Sequence, residues 1–120
     1  LRGIPKVNTN REPFFIRAET NKTTAYKGEQ VIVSYYLYRK TRVFNIQVSQ
    51  YPVLSGFLRE DLDIPIMGTQ LQSEETMING VPYQRALLAR YAAYPLKEGD
   101  LKIDPLAIKA NYYATRPGMG

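Results

Sequence analysis

The chain contains no cysteine, no histidine and no tryptophan. Lack of cysteine excludes disulfides, a thiolate nucleophile and cysteine-bound zinc or iron–sulfur clusters. Lack of histidine removes the imidazole base, and with it the Ser-His-Asp and Cys-His arrangements. It also removes the commonest transition-metal ligand. Carboxylates, Lys, Tyr and Ser are what remains for chemistry. No catalytic residue, metal or cofactor is expected, and the balance shifts toward a binding module. No apolar run approaches the roughly 20 residues of a membrane-spanning helix. No signal peptide is evident either. The absence of cysteine leaves the compartment open. The chain starts at Leu1 and closes on Gly-Met-Gly, which reads as a segment of a longer protein.

What is present suits one globular domain. The 120 residues are 44% hydrophobic and 22% charged. A domain of this size buries roughly 65% of the surface its unfolded chain exposes, enough for one core without staples. Sixteen basic residues against eleven acidic ones give a net charge of +5. The surplus is uneven. Residues 1–60 hold ten Lys/Arg and four Asp/Glu, and residues 61–120 hold six and seven. Arg39, Lys40 and Arg42 are its densest point.

Periodicity points to strands. Residues 1–13 lack it and read as a linker or arm. From Phe14, apolar and polar residues alternate. Val31, Val33, Tyr35 and Leu37 fall on one face of the next strand, with Ile32, Ser34, Tyr36 and Tyr38 on the other. A strand apolar on both faces belongs in the middle of a sheet. Lys40-Thr41 then reads as a short connection into a second strand over 43–50, making a first hairpin. Asn79-Gly80 fits the two φ > 0 positions of a type I′ turn, so a hairpin is expected there. Residues 85–94 carry the Ala and Leu of a helix but follow that turn directly. They are read as a long strand, with a short helix as the competing outcome. Leu101 to Tyr113 closes the domain, with Pro105 imposing a bulge, bend or edge position. Residues 115–120 read as an exit linker. About seven short strands in residues 14–114 define the expected class: an all-β, immunoglobulin-like β-sandwich.

Several segments, taken in order, resemble the BatD family, the "oxygen tolerance" proteins of bacterial Bat (Bacteroides aerotolerance) operons. Tyr26, Gly28, Glu29, Val31 and Val33 stand at one shared element. Gly56-Phe57 stands at a second, and Asn79, Gly80 and Tyr83 at a third. Tyr94, Pro95, Gly99, Leu101, Ile103 and Pro105 match the closure. The resemblance runs from Phe14 to Ile108 and rests on structural punctuation. It implies a β-sandwich domain of a membrane-anchored envelope protein, periplasmic or extracytoplasmic, with the anchor outside this segment. It implies no catalytic residue and a role in an oxygen- or stress-tolerance complex. The implied partners are other Bat-type envelope proteins with von Willebrand A domains, and neighbouring domains of the same chain.

The residues offer one candidate interaction surface: Tyr36, Tyr38, Arg39, Lys40 and Arg42. The cations supply long-range attraction and the tyrosines contact area. The plainer reading is a hairpin tip charged for solubility and against edge pairing. Nucleic acid is not expected as a partner, although basic and aromatic residues interleave here. The acidic knot Glu60-Asp61-Leu62-Asp63 lacks the spacing of a calcium loop and reads as a solvated loop. Tyr35 and Tyr91 are expected in the core; Tyr38, Tyr51, Tyr112 and Tyr113 are expected at the surface. Tyr94 is expected to act as a corner tyrosine, its hydroxyl bonded to nearby backbone. Exposed tyrosines leave open an alternative, a carbohydrate- or ligand-binding sandwich, which would need a row of coplanar rings.

Overall fold

The computed structural model describes residues 13–68 and 71–113. The expected arm and exit linker therefore lie outside the described residues, Pro13 excepted. Among the described residues seven strands form: β1 (Phe14–Thr20), β2 (Val31–Arg39), β3 (Val43–Gln50), β4 (Phe57–Asp63), β5 (Ser73–Ile78), β6 (Val81–Pro95) and β7 (Ala107–Tyr112). They build two antiparallel sheets packed as an immunoglobulin-like sandwich. The larger sheet runs β1-β2-β6-β4, and β5 joins it by pairing with the first part of β6. The smaller sheet is β3-β7.

β2 is central, as its two apolar faces require. Val31, Val33, Tyr35 and Leu37 are all buried, none more than 2% exposed. Each large apolar side chain taken fully from water contributes roughly 1.5–3 kcal/mol. β6 spans fifteen residues and settles the helix-or-strand ambiguity in favour of strand. It pairs with β2 along one edge and with β4 and β5 along the other. This pairing overrides the helix propensity of its alanines. Ala89 sits beside Tyr35 and Ala93 beside Val31, so small residues accompany large ones across the ladder. Asn79 (φ 51°) and Gly80 (φ 79°) make the expected turn between β5 and β6.

Three expectations are corrected. β3 does not pair with β2. It leaves the larger sheet and pairs with β7, so Lys40-Thr41 is a crossover between sheets and not a hairpin tip. Glu60 to Asp63 is not a loop but part of β4, an exposed edge strand. Its charges suit an edge, where they discourage pairing with other chains. Finally, the closing strand starts only at Ala107. Residues 101–106 are irregular around Pro105, yet Leu101, Ile103 and Leu106 are buried in the core.

That irregular segment is fastened at Asp104. The Tyr35 hydroxyl donates to the Asp104 carbonyl (2.5 Å). The Asp104 carboxylate accepts from the amides of Leu54 (2.8 Å) and Ser55 (3.4 Å). Leu54 is a buried leucine at φ 54°, a left-handed conformation that costs about 1–2 kcal/mol. The carboxylate and the buried side chain hold it there. Gly56 (φ 90°) completes the turn, and the Phe57 amide donates back to the Leu54 carbonyl (3.1 Å).

Burial raises the pKa of Tyr35 far above its ordinary value, and burial also raises those of Tyr38 and Tyr91. A raised folded-state value means stability that is complete below the unfolded value of 10.0 and lost as pH rises beyond it. With no histidine, no side chain has an ordinary value between about pH 6 and 8. Denaturant midpoints are therefore expected to stay level from pH 6 to 9 and to fall above about pH 10. Tyr35→Phe should flatten part of that fall; an unchanged alkaline slope would contradict the assignment. Separately, Asp104→Ala should lower unfolding free energy by about 1–3 kcal/mol in urea titrations, because it strips the acceptor from the Leu54 turn.

Candidate functional site

The five residues of the candidate surface do not share one face. Residues alternate across a strand with period two, and β2 obeys this to its end. Tyr36 and Tyr38 project from the outer face of the larger sheet. Arg39 and Arg42 instead line a groove between the sheets. Lys40 returns to the outer side, its ammonium 5.5 Å from the Tyr83 ring centroid.

On the outer face the tyrosines are consumed within the fold. Tyr38 is 3% exposed, against the expectation of an exposed ring. It stacks on Phe15 (5.1 Å between centroids, 4° between planes), and Phe15 meets Tyr83 edge-on. The Tyr38 hydroxyl donates to Glu19 (2.6 Å) and accepts from Arg85 (3.4 Å). Arg85 lies over the Tyr36 ring at 4.4 Å and donates to Glu74 (2.6 Å). Arg90 donates to the Tyr36 hydroxyl (3.1 Å) and to Ser34 (3.0 Å). Tyr38's hydroxyl is held protonated by burial, then by its bond to Glu19. Arg85, in turn, is held protonated by its bonds to Tyr38 and Glu74. The face is a polar and aromatic brace across four strands.

The groove between the sheets is different. Its volume is about 630 Å³. Leu37, Ile46, Ile66 and Leu71 give it an apolar lining, and Arg39 and Arg42 give it positive charge. No carboxylate lines it among the described residues. Residues 42–46 all contribute, whereas β7 contributes none, so the groove follows the edge of β3 that β7 leaves open. At that edge Asn45 adopts φ 54° within a bulge opposite β7. Arg39 donates to the Thr41 carbonyl (3.3 Å), and Arg42 is exposed. Sequence periodicity did not reveal this groove, because it depends on β3 changing sheets. The signal was present in Arg39-Lys40-Thr41-Arg42, which has no Gly, Asn or Asp to turn a tight hairpin.

The remaining tyrosines are divided. Tyr35 and Tyr91 are core residues, as expected, and Tyr51, Tyr112 and Tyr113 are exposed. Tyr26 is the most exposed of all, at 85%. The Tyr94 hydroxyl accepts from the Gln30 side chain (3.0 Å), a bond to a side chain where backbone was expected. Among the described residues, no cluster of three or more acidic side chains is placed to hold a metal ion, and no helix is long and apolar enough to cross a membrane.

The residues shared with the BatD pattern turn out to be turn locks. Glu29 accepts from the Tyr26 amide (2.8 Å) and from Lys22 (2.8 Å), and its own amide donates to the Tyr26 carbonyl (2.9 Å). The Lys22 bond is the main reason its carboxyl stays below the ordinary value. Gly28 donates to the Pro95 carbonyl (2.8 Å), and Leu96 donates to that of Gly56 (2.8 Å), fixing both loops to the end of β6. An all-β sandwich held by these turns is the class of domain defined here. The family model described as a BatD DUF11 like domain matches residues 18–118, and the chain belongs to the BatD family, a family of membrane-associated envelope proteins. No curated protein and no solved structure gives a significant match.

The division of the five residues has a measurable consequence. Tyr38→Ala should cost about 3 kcal/mol of stability, as for other buried aromatics. Arg42→Glu, at an exposed position, should stay within about 0.5 kcal/mol of the parent. Thermal melts of the two variants read this directly, and equal losses would contradict the split.

Proposed function

We propose that this domain is a non-catalytic interaction module of a membrane-anchored, BatD-type envelope protein. It works on the extracytoplasmic side, in an oxygen- or stress-tolerance assembly. Its contact site is the groove between the sheets, where Arg39 and Arg42 meet an apolar lining. That pairing of charge and apolar area is the observation that carries the reading. The cations attract a partner over distance, and desolvated apolar area holds it. Tyr36 and Tyr38 leave the contact set, because both are engaged within the sheet. Other Bat-type envelope proteins, including those with von Willebrand A domains, are the partners this reading names. Neighbouring domains of the same chain are the other.

The carbohydrate-binding reading gains no support from the tyrosines. Tyr26, Tyr51 and the Tyr112–Tyr113 pair lie on separate segments, and Tyr112 at the end of β7 and Tyr113 just beyond it contact different rings, Phe14 and Phe44. The lack of histidine and cysteine supports a role without catalysis, and no cofactor is invoked.

The test is co-purification of the full-length protein with its Bat-type neighbours. Arg39→Glu with Arg42→Glu should abolish recovery of a von Willebrand A domain partner while the melting temperature holds. Undiminished recovery would overturn the assignment of the site.

A further inference from the structure

The larger sheet and the smaller one treat their edges differently. β1 carries Arg17 and Glu19, β4 carries Arg59, Glu60, Asp61 and Asp63, and β5 carries Glu74 and Glu75. β7 carries Lys109. β3 reads VFNIQVSQ and has no charged residue at all. Among the described residues, β7 is its only strand neighbour. An uncharged strand with one open edge is a template for another strand. The groove with its apolar lining runs along that same edge.

We propose that β3 takes an extended segment of a partner protein as an added β-strand, with acidic side chains of that segment set against Arg39 and Arg42. The proposal rests on the interaction-module reading and specifies its mode. Main-chain bonds to the open edge supply affinity, and side chains entering the groove supply choice. An extended chain sends alternate side chains to opposite faces, so every second residue reaches Leu37, Ile46, Ile66 and Leu71. The occupant is acidic because, among the described residues, the groove presents two guanidinium groups and no carboxylate. A second copy of this chain fits poorly. Two β3 edges offer each other no negative charge, and each chain carries a net +5. The bulge at Asn45 limits the paired length, so the contact is short and reversible.

Three short fluorescent probe peptides test this, each alternating Val and Thr. One carries two Asp at its N-terminal end, one carries two Asp at its C-terminal end, and one carries two Lys. Anisotropy titrations with the 120-residue chain should show one acidic probe binding about tenfold more tightly than the Lys probe, with the advantage shrinking as salt rises. Arg39→Gln with Arg42→Gln should remove the advantage. Hydrogen exchange should slow at amides within 43–48 when the acidic probe is bound. N-methylating alternate amides of the probe should abolish binding for one set and spare it for the other, since only one edge of an added strand is paired.

Failure of all probes to bind, or equal binding of the Lys probe, would overturn the proposal. Binding that survives both N-methylated sets would refute strand addition while leaving an interacting groove in place. Loss of partner recovery in the glutamate variant combined with that result would separate the two readings cleanly. Concentration-dependent protection of 43–48 without any probe would assign the edge to a second copy and also overturn the proposal.

Discussion

One buried hydrogen bond couples the parts of this sandwich. Tyr35 stands at the centre of the larger sheet, fully buried, and its hydroxyl reaches the Asp104 carbonyl. A buried phenol needs a partner, and leaving it unpaired would cost roughly 1–3 kcal/mol. The partner it finds lies on the segment leading into β7. The same residue's carboxylate holds the Leu54 turn that leads from β3 into β4. Asp104 therefore ties the larger sheet, the entry to the smaller sheet and the connection between them. A two-stranded sheet is marginal alone, so β3-β7 depends on being fastened in this way. The position of β3, and with it the groove, follows from that fastening.

Much of the fold was legible because its elements are locally consistent. β2 declared itself central by carrying apolar residues on both faces. Asn79-Gly80 declared its hairpin through the left-handed conformations it tolerates. The 85–94 segment was harder, since its alanines favour helix, but a strand begun by a two-residue turn has its register fixed from the first pair. Illegible parts were those decided by distant contacts. Leu54 at φ 54° has no local sign in Pro52-Val53-Leu54-Ser55, because its conformation is imposed by Asp104. Charge alone reads the acidic run 60–63 as a loop. Charge marks a solvated face, and an edge strand has one just as a loop does.

The candidate site shows the same limit from another side. Nearness in sequence suggested that Tyr36, Tyr38, Arg39, Lys40 and Arg42 act together. The pleat forbids it, because residues one apart on a strand face opposite ways. Tyr36 and Tyr38 join Phe15, Tyr83, Arg85 and Arg90 in a brace on the outer face. Arg39 and Arg42 join Leu37 and Ile46 on the inner side. Alternation was readable in advance; the crossing of β3 to the second sheet was not, and only that crossing opens a groove beside the arginines.

The distribution of charge over the edges now has a physical sense. A domain that shields β1, β4, β5 and β7 with charged side chains leaves one strand, β3, without any. An unguarded edge in a sticky, neutral protein invites self-association. Here a net charge of +5 opposes the approach of a second copy, and Arg39 and Arg42 concentrate part of that charge beside the exposed edge. Repulsion of this kind acts on like-charged chains and reverses sign for an acidic one. On the proposed strand addition, the same cations that keep copies apart would select among foreign strands. The basic surplus of the first half of the chain and the neutrality of β3 are two sides of one arrangement: an edge left open, and a field that decides what approaches it.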